Sequence, residues 1–303
     1  MLKTNHVSFP NEISYASRIK NSLVVCMGNE MVLFSPFSLN RQFTGIHHLV
    51  YEHTCKIECI SGIYTDCEYS SRFFNQDSLN NMETHILILD KSNQFHIIDS
   101  GRLLLTHSFC FEEKLSILSI CGSQYSPNEF AILTPSKASI FHITDGKLDH
   151  IFSVSISGQR IIPNPNSYIV VGSTQVISMS NGSYEEIYNG TISDILINKD
   201  SFVRVNHEGI GSCVFRYQNE SIGVKKVISG LWDILEDKII CFLNGGHICL
   251  FSFEKNSKRM IFNVKTEEKP RWIYAGFNKY INSIVVVVIY PSSIETFEME
   301  HES

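Results

Sequence analysis

Long apolar runs are missing from this sequence. The longest, Ile284 to Ile289 (IVVVVI), is strand-sized, far short of the roughly 20 residues that a membrane-spanning helix needs. The opening residues, MLKTNHVSFPNEISYASR, hold no apolar segment of the kind that marks a secretory signal. An excess of positive charge is missing too. The 25 Lys and Arg face 31 Asp and Glu, a formal charge of -6, which excludes a globally basic nucleic-acid binder but leaves room for a local basic face. Nor is there a disulfide framework. Nine cysteines (Cys26, Cys55, Cys59, Cys67, Cys110, Cys121, Cys213, Cys241, Cys249) are an odd number scattered over 303 residues. Most sit among apolar neighbours, where a thiol behaves as a small hydrophobe. A reduced, intracellular chain is expected, nuclear or cytoplasmic, with no membrane attachment. Its Asn-x-Ser/Thr sequons at Asn181, Asn189 and Asn219 are then idle.

Hydrophobic residues make up 43% of the chain, enough for a packed core and too many for general disorder. They come in runs of four to eight residues, rich in Val, Ile and Phe and punctuated by Gly, Asn, Asp, Ser and Pro. No stretch holds a helical period for long, so the runs read as strands. Seven tight turns join pairs of them, centred near Asn29, Ser92, Ser136, Ser173, Glu208, Gly245 and Ser292. Their spacings are roughly 63, 44, 37, 35, 37 and 47 residues, against about 40–45 for one blade of a β-propeller.

The clearest unit is Leu115 to Ser155: LSILSI, EFAILT, ASIFHIT and LDHIFSVS, joined by short connections. Four such strands make an antiparallel blade that must stack on copies of itself. The ends fit the same scheme. The last unit, PRWIYAG, INSIVVVVI and SIETFEME, is one strand short, and the first has a spare strand, HVSFP, ahead of EISYASR. The sequence therefore predicts an all-β, seven-bladed β-propeller of four-stranded antiparallel blades. It is a single domain over 1–303, its ring closed by the N-terminal strand pairing into the last blade. A six-bladed ring, or a β-sandwich with extra hairpins, remains open at this point.

The Leu115–Ser155 unit resembles a WD40 repeat. SPNEFAIL stands where that family has its SPDG-type loop and second strand, and ITDGKLDHIFS where it has a strand, a tight turn and the outer strand. Departures are large. The one Trp-Asp dipeptide, Trp232-Asp233, opens a blade instead of closing a third strand. Gly246-His247 falls in a mid-blade turn, away from the place of the family's structural hydrogen-bond network. What the resemblance implies is a rigid docking platform without catalysis, inside an intracellular multi-protein complex. By that analogy the chain is a non-catalytic scaffold subunit with protein partners, no cofactor and no small-molecule substrate.

Several residues could carry more. The longest spacing marks a polar insertion, Gly62 to Thr84, expected to be a flexible surface loop. If functional, it would offer Tyr64, Tyr69, Phe73 and Phe74 as aromatic anchors for a partner. From Lys199 to Lys279, about 13 Lys and Arg face about 9 Asp and Glu, leaving the remainder near -10. Lys225, Lys226, Lys255, Lys258, Arg259 and Arg271 could thus form a basic flank on blades five to seven. That flank motivates an alternative reading, an RNA-contacting subunit of an RNA-modifying or RNA-processing complex. A second alternative is a channel-centred enzyme. The inner strands TISDILI, GLWDILE and KPRWIYA align Asp194, Asp233 and Trp272, and CKIECIS adds Glu58. Satisfaction of backbone donors is the commoner use of such acids, and no hydrolase or phosphate-binding motif accompanies them. Finally, His47, His48, His53, Cys55, Cys59 and Cys67 crowd one stretch. They lack the paired spacing of a zinc site, so no metal is expected there.

Overall fold

In a computed structural model of the chain, the described residues are 3–19, 22–37, 48–65, 83–99, 103–111, 115–123, 126–145, 147–164, 167–189, 194–198, 201–206, 212–217, 220–225, 227–235, 238–243, 245–254, 257–278 and 281–300. They form 28 strands and no helix, arranged as seven four-stranded antiparallel sheets. Strands β2 (Tyr15–Ile19), β3 (Ser22–Met27), β4 (Glu30–Phe34) and β5 (His48–Glu52) make the first sheet. The second holds β6 (Ile57–Thr65), β7 (Glu83–Asp90), β8 (Gln94–Asp99) and β9 (Leu105–Cys110). Then come β10 (Ser119–Gly122), β11 (Glu129–Leu133), β12 (Lys137–Thr144) and β13 (Lys147–Ser155), followed by β14 (Gly158–Asn164), β15 (Ser167–Gly172), β16 (Gln175–Ser180) and β17 (Ser183–Asn189). The fifth sheet is β18 (Asp194–Asn198), β19 (Ser201–Asn206), β20 (Ser212–Tyr217) and β21 (Glu220–Lys225). The sixth is β22 (Val227–Leu235), β23 (Lys238–Leu243), β24 (His247–Glu254) and β25 (Ser257–Lys265). The last contains β26 (Trp272–Asn278), β27 (Ser283–Ile289), β28 (Ser293–Glu300) and, at its edge, β1 (Lys3–Ser8).

Six of the seven expected turns are the connection between the second and third strands of a sheet, and the seventh, near Glu208, lies outside the described residues, between β19 and β20. Their backbone explains the residues found there. Gly28 takes φ +69° and Asn93 takes φ +64°, left-handed conformations that glycine adopts freely and asparagine tolerates. The spare strand also lies where expected. Val7 stands opposite Ile294 and His6 opposite Glu295, so HVSFP completes the last sheet beside SIETFEME. In the Leu115–Ser155 unit the first strand begins at Ser119 rather than Leu115. Leu118 is exposed, though its N–H still donates to the Leu133 carbonyl at 2.7 Å.

The chain divides into two compact units, Met1–Leu49 with Ile192–Ser303, and Val50–Thr191. In the first unit, alternation along β27 sorts its side chains onto two cores. Ile284, Val286 and Val288 pack with Ile240, Phe242, Leu250 and Phe262 of the sixth sheet, while Val285, Val287 and Ile289 pack with Leu23, Val25 and Val32 of the first. A strand buried on both faces reads as an unbroken apolar run, and each such side chain contributes about 1.5–3 kcal/mol by leaving water. First strands are also cross-tied: Arg18 of β2 donates to the Ala275 carbonyl and lies over the Phe37 ring, 4.7 Å from its centroid.

In the second unit, Ala131, Leu133, Ala138 and Ile140 of the third sheet pack with Tyr168, Val170, Ile177 and Met179 of the fourth. Here β6 and β10 approach closely. A Cβ added at Gly122 would collide with the Gly62 carbonyl, and the Gly122 N–H donates to Ser61 Oγ at 2.9 Å.

Candidate functional site

The most constrained polar cluster lies in the second sheet and its approaches. Asp90 ends β7, and its Oδ1 accepts the N–H groups of Ser92 at 2.8 Å and Gln94 at 3.0 Å. These bonds cap the turn to β8, so the carboxylate is fixed by the chain that follows it. Its Oδ2 faces inward and meets two imidazoles, His53 Nε2 at 3.2 Å and His96 Nε2 at 3.1 Å. His53 comes from the link between β5 and β6, held to the turn by the Lys91 N–H donating to the Lys56 carbonyl at 2.8 Å. His96 lies on β8 opposite Ser108 of β9. The exposures of His53, Asp90 and His96 are 5%, 2% and 4%, and the two imidazole rings sit edge to face with centroids 4.4 Å apart.

The outer nitrogens are partnered as well. Ser108 Oγ lies 2.8 Å from His96 Nδ1, and the Tyr51 hydroxyl lies 3.1 Å from His53 Nδ1. With Asp90 ionised, both Nε2–H groups donate to it, and both Nδ1 atoms accept from the hydroxyls. Burial works to push the Asp90 carboxyl up, but the Gln94 N–H, His96 and His53 outweigh it and hold the group below the ordinary carboxylate range. Burial is the main cause that pushes His96 below the usual histidine value, against the pull of Asp90 and with the help of His53.

A second buried polar pair links the third and fourth sheets. The Tyr168 hydroxyl donates to Glu129 Oε1 at 3.0 Å, with both residues buried. Burial first, then the charge of Glu129, push the Tyr168 phenol far above its ordinary value, so it stays a donor.

Of the channel acids, Asp233 accepts the Ala275 N–H at 2.9 Å and stands 3.6 Å from Arg18. It does the backbone work that is the commoner use of such a group. Asp194 opens β18, and Glu58 is exposed on β6. Of the insertion, residues 62–65 belong to β6 and 83–84 to β7. Tyr64 is thus a strand residue, its Cα opposite Thr84. Tyr69, Phe73, Phe74, His47 and Cys67 lie outside the described residues, as do Lys226 and Lys255.

Lys225 closes β21, and Lys258 lies in β25 opposite Phe253. Arg259 follows it and is exposed. Arg271 is committed within the fold, where it donates to the Ile13 carbonyl at 2.7 Å and pairs with Glu12. Cys55 Sγ sits 3.3 Å from Ser92 Oγ, while burial and then the charge of Glu58 push the Cys59 thiol up to about 11. His247 hydrogen-bonds Asn263 Oδ1 at 2.9 Å. Gly246 lies in the mid-blade turn expected of it and His247 opens β24, while His53 and Asp90 form a buried His–Asp pair at the second sheet.

No protein family matches the sequence by its profile, and no curated protein matches it. Solved structures do. The β-propeller domain of Cps50 (Swd1) from Myceliophteria thermophila superposes with a TM-score of 0.65 over 97% of this chain and 98% of that one, at 8% identity. Such a likeness speaks for the fold alone. With the seven four-stranded sheets and the N-terminal strand in the last of them, it gives the chain the fold of a β-propeller with seven four-stranded blades.

Proposed function

We propose that this chain is a non-catalytic scaffold subunit that binds protein partners within an intracellular complex, in the nucleus or the cytoplasm. The observation that carries this reading is where large apolar side chains remain in water. Leu105 of β9, Ile151 of β13, Tyr184 and Ile187 of β17, and Met260 and Ile261 of β25 are all exposed, Tyr184 by 58%. Each lies on the fourth strand of its sheet, which pairs with the third strand alone. Such strands offer a partner both apolar side chains and unpaired main-chain groups. The similar Swd1 domain supports the reading by its fold, a platform that many complexes use. The test is affinity purification of the tagged chain from native cells, with and without RNase, followed by identification of stoichiometric companions. Companions that survive RNase and are lost on Ile151→Asp with Tyr184→Asp, without a change in melting temperature, support it. A solitary chain in both arms overturns it.

A second reading, an RNA-contacting subunit, is favoured by one observation: Arg259 and Lys265, at opposite ends of β25, are both exposed. Arg271, tied to Glu12, is not among its contacts. Charge reversal at Arg259 and Lys265 should then weaken RNA binding and flatten its salt dependence; unchanged binding removes the idea.

A further inference from the structure

We propose that β17, the fourth strand of the fourth sheet, is a docking edge for an extended segment of a partner protein that carries two consecutive Lys or Arg residues between apolar ones. The inference rests on the scaffold reading and names the chemistry of the partner. All five residues from Ser183 to Ile187 are exposed, Tyr184 by 58% and Ile187 by 37%. Successive side chains of a strand point to opposite faces, so this stretch stands in water on both. In β13, the fourth strand of the third sheet, Phe152 and Val154 pack against the core instead. β17 pairs with β16 alone, in unbroken register from Ser183 opposite Ser180 to Glu186 opposite Ile177, and Ile187 is the extra residue of a bulge. Edge strands are ordinarily guarded by Lys, Pro or a bulge. Here β17 holds neither Lys nor Pro, and its bulge comes only after four regular residues.

Charge selects the occupant. Glu185 and Glu186 are neighbours on this edge, and the sequence holds no Lys or Arg between Arg160 and Lys199. Among the described residues neither carboxylate has an ion pair, and Glu186 Oε1 accepts from Asn189 Nδ2 at 3.4 Å. A second copy of this chain is a poor occupant. Two β17 strands paired antiparallel and centred on this stretch would set the two glutamates against their own copies, and like charges facing across strands destabilise a sheet. Nucleic acid is repelled by the same charges. A cationic strand is attracted by both.

The order of residues on the edge fixes the pattern of the segment. Main-chain groups of an edge strand hold an added strand whatever its sequence, and side chains supply the selectivity. In such a ladder the residues across from Glu185 and Glu186 are consecutive in the partner, and those across from Tyr184 and Ile187 flank them. Opposite charges, and an aromatic facing an aliphatic residue, are the favourable cross-strand pairs. The complementary segment is therefore apolar, basic, basic, apolar. That pattern reads the same in both directions, so it holds whether the added strand runs parallel or antiparallel to β17.

The test uses the full chain and two blocked peptides, identical except for Val-Lys-Lys-Val or Val-Glu-Glu-Val at the centre. Each is added at millimolar concentration and low ionic strength, and amide hydrogen exchange is followed residue by residue. The basic peptide alone should slow exchange between Ser183 and Ile187, by about fivefold or more, and added salt should weaken the effect. Glu185→Lys with Glu186→Lys changes two exposed side chains and should invert the preference between the peptides. If that chain fails to fold, Glu185→Gln with Glu186→Gln should abolish the preference. Equal protection by both peptides, protection confined to other strands, or no protection overturns the proposal, as does an unchanged preference in the altered chain. Affinity purification of the charge-reversed chain separates the two readings. Companions that stay bound to it leave the scaffold role standing and remove β17 as the docking edge; their loss, with the melting temperature unchanged, supports it.

Discussion

The carboxylate of Asp233 on β22 accepts the N–H of Ala275 on β26 at 2.9 Å, and Arg18 of β2 stands 3.6 Å from the same oxygen while donating to the Ala275 carbonyl. One residue of the last sheet is thus held on both its main-chain polar groups by first strands of two other sheets. Asp233→Ala leaves Ala275 without its acceptor and Arg18 without its counter-charge, and should cost about 1–3 kcal/mol in urea denaturation. Asp233→Asn, which keeps an acceptor oxygen, should cost less. Equal losses in the two variants would show that the N–H bond is not what Asp233 contributes.

Gly122→Ala should be among the most damaging single-methyl additions. The new Cβ meets the backbone of Gly62 and Ile63, not the flexible end of a side chain. Relief requires β6 and β10 to separate, which also breaks the Ser61 contact to the Gly122 N–H. A loss of about 2–3 kcal/mol is expected from overpacking. Gly28→Ala is the comparison: it meets open space, and its cost comes from the left-handed backbone alone.

Tyr168→Phe removes the hydroxyl that donates to Glu129 while leaving the ring in place. Glu129 keeps its burial and loses a partner, so about 1–3 kcal/mol of stability should go. The double variant Tyr168→Phe with Glu129→Leu should recover part of it, since removing both partners of a buried pair is cheaper than removing one. No recovery would place the cost in packing.

Acid should destabilise the second unit in two stages. The His96 side chain has a lowered value in the fold, so the unfolded chain takes up its proton first. Its contribution is whole above about 6.5, the ordinary histidine value, and is lost as pH falls toward the lowered one. Asp90 is likewise lowered, so its contribution is whole above about 3.9 and is lost at more acid pH. Both slopes have the same sign, with stability rising with pH. Melting temperature followed from pH 7 to pH 3 checks this, and His96→Gln should flatten the upper part of the curve.

The turns carried most of the fold's legibility. GNE, KSN, PSK and the others each join two runs that pair with one another, so a local signal fixed a local contact. HVSFP was readable because the last unit was visibly one strand short. The His53–Asp90–His96 cluster was not readable, because His53 and Asp90 stand 37 residues apart and nothing local joins them. The signals that exist are faint: an Asp that ends an apolar strand before a tight turn, and a His set inside the otherwise apolar QFHIID. The exposed apolar residues on the fourth strands were hidden for a different reason. A strand with one covered face and one neighbour alternates like any other, so nothing in the sequence marked Ile151 or Tyr184 as exposed. The three anchors Tyr69, Phe73 and Phe74 fall outside the described residues.

Pairing of β1 with β28 gives synthesis of this protein an order of events. Six sheets are built from strands that follow one another, and each can begin to form as soon as its own stretch has left the ribosome. The last sheet cannot. Val7 emerges first and must wait for Ile294, roughly 290 residues later, which at about 5–20 residues per second is about 15–60 s. Through that interval β1 is an unpaired strand beside growing sheets, and any chain released early keeps it so. A product that stops before β28 would therefore carry β1 without the strand it pairs with in the last sheet.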